Sequence, residues 1–481
     1  MTGRVASSSA WFARAGFTDA SRSARFAESP ELAGLAEPDG SLLRGIAATA
    51  SPDLALKALV RFVEAAGRGD DLDRLLSQES PKRARLLGVL GESASLGDHL
   101  VRHPEHLSAV IDAVPLSAAE RVRRLTHAVT ASERGDHTAY DALRIGYREQ
   151  LLGILALDVT SEEVTDTLPA TAEALADLAG AALQAALAIA CEEHPEAARR
   201  TRLAVIAMGK CGGRELNYIS DVDVIFAAEP PEPDAGSDTE LNTKSDTRTE
   251  TQPVSEADTI EAATQLASAL MRACASHTGE GSLWQVDPAL RPEGKQGPLV
   301  RTVASHERYY KRWAKTWEFQ ALLKARHVAG DATVGAAYIE AISPFVWQAA
   351  GRDKFVPDVQ AMRSRVERHI PPGEVDRQLK LGPGGLRDVE FSVQLLQLVH
   401  GRLDPGLRSP NTLQALAALS AGGYVARDDA AALSDAYRFL RSLEHRVQFY
   451  RMKRTHLMPT AEADLHRLGR SMHYGGTPGE S

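Results

Sequence analysis

The segment from Leu203 to Phe226 restricts the fold more than any other part of the chain. Leu203-Ala-Val-Ile-Ala-Met208 is a short continuous apolar run that ends in glycine, as a buried strand does. Gly209-Lys-Cys-Gly-Gly213 follows, and after Arg214-Glu-Leu-Asn-Tyr-Ile219 and Ser220 a second strand is expected over Asp221-Val-Asp-Val-Ile-Phe226. Side chains alternate along a strand, so Asp221 and Asp223 should share one face, roughly 6.6 Å apart along the chain, with Val222, Val224 and Phe226 on the other. Two carboxylates on an otherwise apolar strand would each suffer a desolvation penalty of several kcal/mol if left unpaired. A pair of Mg²⁺ ions meets that need. Hard oxygen donors suit Mg²⁺, and two ions roughly 4 Å apart can clamp the attacking and leaving oxygens of an in-line phosphoryl displacement.

A DxD by itself is common and usually marks a solvated turn or strand end, so its neighbours must carry the reading. A second strand expected near Leu283-Trp-Gln-Val286 delivers Asp287, the candidate third acid, making Asp221, Asp223 and Asp287 the expected catalytic and metal-binding set. Glycines let a backbone approach phosphate oxygens closely, and exposed amides there can cradle the charge. Gly209, Lys210, Gly212, Gly213 and Ser220 are therefore the candidate nucleotide or phosphate contacts, although Lys210 reads equally well as a surface lysine. Arg291, four residues after Asp287, has the planar fork that pairs with phosphate, and Lys295 could assist. A further glycine-rich run, Lys380-Leu-Gly-Pro-Gly-Gly-Leu-Arg387-Asp-Val-Glu390, leads into a helix with Phe391, Leu395, Leu398 and Val399 expected on its apolar side. Lys380 and Arg387 flanking glycines would suit an inorganic phosphate pocket. The competing reading is a tight helix entry, with Asp388 and Glu390 favouring the positive end of the helix dipole.

Around this centre the pattern is helical. From about Ser51 to Glu193 apolar residues recur at three- and four-residue intervals, and Leu178–Cys191 reads as a buried alanine-rich helix too short to cross a bilayer. Ile260–His277 is expected to be an amphipathic helix that buries Cys274. The rest from about His306 is expected to be helical again. Tyr309, Tyr310, Trp313, Trp317 and Phe319 fall at roughly helical spacing, more consistent with core than with adenine stacking. The stretch of about 229–258 holds nine acidic and two basic residues and almost no large apolar ones, so a disordered insertion is expected there. The resulting division is a helical region over 1–195, a mixed α/β domain carrying the acids over 196–345 and a helical region over 346–481.

Composition removes several classes of function. A net charge of −9 argues against a protein that holds nucleic acid through its phosphates. Cys191, Cys211 and Cys274 form no CxxC pair, and histidines such as His277, His327 and His400 show no metal-ligand spacing. No Ser/His/Asp or Cys/His set points to covalent catalysis. The start, MTGRVASSSAWFARAGF, has no apolar core long enough for a secretory signal, so no export, no membrane span and a reducing cytoplasm are expected.

AMGKCGGRELNYISDVDVIF, LWQVDPALRPEGKQGPLV, RWAKTWEFQALLKAR and LKLGPGGLRDVEF, preceded by LGDHLVRHPEHL, together resemble the N-terminal, adenylyl-removing half of bacterial glutamine synthetase adenylyltransferases. The resemblance covers most of the chain. It implies an α+β fold: a polymerase-β-like nucleotidyltransferase core with a small mixed sheet, flanked by extensive helical regions. It also implies Mg²⁺ as cofactor, Asp221 and Asp223 as the metal pair, Asp287 as the third acid and Gly212-Gly213 as the nucleotide loop. Cys211 stands where the family usually has leucine, a conservative packing change. Adenylylated glutamine synthetase, inorganic phosphate, an adenine nucleotide and a PII-type signalling protein are the implied partners. With one motif set present, the reaction expected is removal of AMP from a glutamine synthetase tyrosine by phosphorolysis, and adenylylating activity is expected to be absent. Two alternatives stay open: a forward adenylyltransferase using the same acids with ATP, and a non-catalytic module that senses PII.

Overall fold

A computed structural model describes residues 9–132, 138–232, 254–352, 355–368 and 370–474. Most of the expected insertion lies outside these residues. At its described edges the order continues further than expected, with a strand running to Glu229 and a helix starting at Glu256.

Five strands make one mixed sheet: β1 (Arg202–Ala207), β2 (Val222–Glu229), β3 (Val286–Asp287), β4 (Val300–Arg301) and β5 (Arg326–Gly330). β1 lies in the middle, antiparallel to both β2 and β5, while β3 and β4 both pair with β2 in parallel. β5 corrects the expectation of unbroken helix beyond His306. Arg326-His-Val-Ala-Gly330 follows a helical segment without a polar break, and its strand character comes from pairing with β1, a contact that local periodicity does not carry.

Seven helices position the site: α1 (Ala94–Arg102), α2 (Ala139–Asp158), α3 (Val164–Glu193), α4 (Glu256–Ala275), α5 (Ala332–Gln348), α6 (Leu386–His400) and α7 (Arg427–Phe449). Side chains cap several of them. Ser93 accepts from Leu96 N ahead of α1, Thr138 from Asp141 N ahead of α2, Ser255 from Asp258 N ahead of α4 and Asp331 from Val334 N ahead of α5. α3 is far longer than the Leu178–Cys191 stretch expected, because its polar first turns, with Pro169 inside, continue the same helix. Its 30 residues are long and apolar enough to cross a membrane by length and composition, yet most of that stretch is buried against α2, α4, β5 and the helix Ala118–Ala131. It is the central strut of the protein.

The sheet separates two cores, and strand alternation decides which residue joins which. Leu203, Val205, Val222, Val224 and Phe226 face the large core shared with α2, α3 and α4. Ala204, Ile206, Met208, Ile225 and Ala227 face a second core built on α5, with Tyr310 and Phe319 inside it. Of the expected aromatic stripe, Trp313 remains 65% exposed. The large core runs from Phe12 to Val300 and on to Phe449, so packing is continuous across residue 195.

Candidate active site

β2 begins at Val222, one residue after the position expected, and Asp221 immediately precedes it. The parallel pairing with β3 sets Val222 opposite Val286 and Asp223 opposite Asp287. This register brings the third acid beside the second, although 64 positions separate them in sequence. Burial raises the Asp223 carboxyl to about 6, and the charges of Asp287 and Asp221 add to the shift while Lys380 and Arg454 oppose it. Asp223 and Asp287 thus lie side by side with Asp221 just ahead of the strand, and the charges of both neighbours bear on Asp223.

β1 ends against the same spot. Met208 N donates to the Asp223 carbonyl at 2.8 Å, and the chain then turns at Gly209 with φ +53°. A Cβ on Gly209 would lie 2.7 Å from Asp223 Oδ2, so glycine is needed both for the backbone angle and for the close approach. Gly212 has a different reason, since a Cβ there would sit 1.9 Å from the Lys324 carbonyl oxygen. Gly213 is seated on the turn before the helix Thr412–Ala421, where its carbonyl accepts from Asn411 Nδ2 at 3.2 Å. The amides of Gly212 and Gly213 donate back to Met208 and Gly209, leaving the amides at the start of the turn without an intrahelical acceptor.

The rest of the loop rests on buried polar groups from α7, from Lys324 and from Thr412. Glu215 pairs with Lys324 and accepts from Thr412 N and Oγ1 and from Tyr437 at 3.1, 3.0 and 3.2 Å. Arg441 donates to the carbonyls of Glu215 and Leu216. Lys210 is not a free surface lysine: its Nζ contacts Glu444 Oε2 at 3.0 Å and Asn217 Oδ1 at 3.3 Å. Burial and the neighbouring Arg441 push its ammonium down to about 7, against the pull of Glu444. Burial alone would raise Glu444, but Lys210, a hydrogen bond from His456 and Arg441 hold it well below the usual carboxylate range.

The other expected anion contacts are placed unevenly. Arg291 donates to the carbonyls of Pro288, Lys295, Gly297 and Pro298, closing its own loop with the donors expected to reach phosphate. Ser220 Oγ donates to the Asp221 carbonyl at 2.8 Å. In the second glycine-rich run the amides of Gly382, Gly384, Gly385, Leu386 and Arg387 are all taken within the loop, Gly384 by Asp388 Oδ2 at 2.7 Å. That pattern fits a tight helix entry better than a phosphate nest. Arg387 stacks on Phe391, its guanidinium 5.3 Å from the ring centroid, with a buried Nε that has no hydrogen-bond partner. Lys380 differs, because its charge bears on Asp223, Lys210 and His456, so this loop does reach the acidic site. The helix it opens is rotated from expectation: α6 buries Val389, Val393 and Leu398 together with Glu390, Gln394 and Gln397, while Val399 faces outward. Gln397 is buried because Leu407 and Ser409 offer it carbonyls at 2.6 and 2.8 Å.

Arg454 was not foreseen. Its Nη1 forms an ion pair with Asp221 Oδ2 across 233 positions of sequence, and His456 beside it hydrogen-bonds Glu444 at 2.6 Å. The basic run Arg451-Met-Lys-Arg454 was the available signal.

The model of the glutamate-ammonia ligase adenylyltransferase family matches residues 83–341, over half of the chain, and this span includes Asp221, Asp223 and Asp287. The chain belongs to that family. A second model, GlnD PII-uridylyltransferase, matches residues 359–481. The bifunctional glutamine synthetase adenylyltransferase/adenylyl-removing enzyme of Streptomyces coelicolor is 55% identical over 98% of this chain and 45% of its own length. That of Streptomyces avermitilis is 53% identical over 99% and 45%, and that of Mycobacterium tuberculosis strain H37Rv 47% identical over 90% and 41%. The chain therefore spans a little under half the length of these relatives.

Proposed function

We propose that this chain removes AMP from an adenylylated tyrosine of glutamine synthetase by Mg²⁺-dependent phosphorolysis, releasing ADP and the unmodified enzyme. The observation that carries the reading is the register that sets Asp223 against Asp287 with Asp221 alongside. The donor set fits Mg²⁺, being all carboxylate, and burial with the charges of Asp287 and Asp221 raises the Asp223 carboxyl against Lys380 and Arg454. Asp221, Asp223 and Asp287 would hold the metal, which supplies charge neutralisation at the transferring phosphoryl group. Lys380 and Arg454 add fixed positive charge at the same place. Phosphate at neutral pH is already an anionic nucleophile, so it needs positioning and neutralisation more than a general base. Its oxygen forms the new bond to the AMP phosphorus as the bond to the tyrosine oxygen breaks. The stretch matching the PII-uridylyltransferase model supports a PII-type protein as a further partner.

The names of the relatives cover adenylylation and its removal, so one experiment must separate the directions. The chain is incubated with adenylylated glutamine synthetase, Mg²⁺ and phosphate, and the released nucleotide is identified by chromatography. ADP that depends on phosphate is expected. AMP released without phosphate would mean hydrolysis, and transfer of AMP from ATP to the unmodified enzyme would mean the forward reaction. Asp221→Asn and Asp223→Asn should each keep the fold and slow turnover about a thousandfold, the loss of ~4 kcal/mol of transition-state stabilisation. Either variant retaining a third of the rate would defeat the assignment.

A further inference from the structure

Away from the acidic site, three histidines gather where the N-terminal helices meet the turn that feeds β3. His99 on α1, His103 just after it and His106 have ring centroids 4.6 to 5.4 Å apart. His99 is fully buried and His103 is 7% exposed. Glu280 comes from the turn closed by the Thr278–Gly281 bridge, and its Oε2 lies 3.3 Å from His103 Nε2. Ligand atoms of His99, His103 and Glu280, one from each, all lie within 4.8 Å of one another, and among the described residues no other group of three or more such side chains does so.

The hydrogen bonds around this cluster leave it incomplete. His99 Nε2 meets His106 Nδ1 at 3.2 Å, and His103 Nδ1 meets Glu105 Oε1 at 3.1 Å. Each ring is thereby oriented by one nitrogen, and the other one, His99 Nδ1 and His103 Nε2, is buried with no hydrogen-bond partner. A ring nitrogen and a carboxylate oxygen facing each other at 3.3 Å can be bridged by a cation. Ligands roughly 2.0–2.1 Å from a tetrahedral metal stand about 3.3–3.4 Å apart, which is the separation of His103 from Glu280, and His99 lies within 4.8 Å of both.

We infer that His99, His103 and Glu280 bind one divalent transition-metal ion, of which Zn²⁺ is the natural case, with water completing the coordination. Two imidazoles and a carboxylate select such an ion over Mg²⁺. His106 and Glu105 act as the outer partners that fix ring orientation. Arg102 holds the Glu280 carboxylate at 2.9 Å, and Arg148 holds the Glu280 and Ser282 carbonyls, so the turn is already fastened over the rings. The ion would pin α1 to Glu280, seven residues ahead of Asp287. His-x-x-x-His at 99 and 103 is the sequence signal for this site, since that spacing puts both rings on one side of a helix.

The test uses the full chain, purified without a histidine tag, stripped of metal and titrated with Co²⁺ in excess Mg²⁺. The expected result is one equivalent of Co²⁺ giving the visible absorption of four-coordinate nitrogen and oxygen ligation, displaced by one equivalent of Zn²⁺. His103→Ala and Glu280→Gln should abolish it, and His106→Ala should weaken binding roughly 10–100-fold. Asp223→Asn should leave it unchanged, which separates this site from the proposed catalytic one. Absence of the band overturns the proposal, and so does a band that survives both His103→Ala and Glu280→Gln. His99→Ala removes a buried ring, so its binding is compared only if circular dichroism shows the native fold; the two milder variants decide the matter in either case.

Discussion

Glycines that look alike in a motif fail for different reasons when given a side chain. At Gly209 the added Cβ meets Asp223 Oδ2 and the backbone sits at φ +53°. Gly209→Ala should therefore cost only ~1–2 kcal/mol of stability yet displace the carboxylate and lower turnover at least tenfold. At Gly212 the same Cβ would overlap the Lys324 and Ala207 carbonyl oxygens, at 1.9 and 2.7 Å, and backbone cannot swing aside as a side chain can. Gly212→Ala should lose about 3 kcal/mol or more of stability. Urea unfolding alongside turnover measurements checks both, and a well-folded, active Gly212→Ala would refute the close packing. The glycines and acids were legible in the sequence because their chemistry is local. The engagement of Lys210 by Glu444 and the pairing of Arg454 with Asp221 were not, because each partner lies more than 230 positions away.

α7 shows how an element can carry its charges inward. Arg441, Glu444, His445 and Arg446 are all at most 1% exposed. What buries them is partners supplied by other elements. Arg446 reaches Asp158 at the end of α2 with contacts of 2.7 and 3.1 Å, and Tyr218 adds a hydrogen bond to the same carboxylate. Breaking a buried pair leaves an uncompensated charge, so Asp158→Asn should destabilise the protein by about 3–5 kcal/mol. A shift of the urea midpoint corresponding to less than ~1 kcal/mol would show that the pair contributes little. Elements with strong internal periodicity, α3 and α4 above all, were readable from the sequence. β5 and the buried face of α6 were not, since each is defined by what it packs against.

Across the whole molecule, Glu92 joins three distant parts: the helix Pro81–Glu92, α7 and the helix Glu462–Ser471, whose Ser471 donates to it at 2.9 Å. Burial pushes its carboxyl up to about 7, against Arg446, Ser471 and Arg467. A carboxyl raised in the folded state binds its proton more tightly there than when unfolded. The sign follows: this group costs stability increasingly as pH climbs from about 4.5 to about 7, on the order of 3 kcal/mol in full. Glu92→Gln should accordingly gain stability over the parent chain between pH 5 and pH 8, and a difference that does not grow over that range would contradict it. The pairing of Asp158 with Arg446 has a further consequence for biosynthesis, because 288 positions separate the two. At ~5–20 residues per second, a ribosome needs roughly 15–60 s to make Arg446 after Asp158 has been made. Through that interval α2 carries a carboxylate whose counter-charge does not yet exist, so the nascent helices must wait, loosely gathered, for a helix still being translated to close over them.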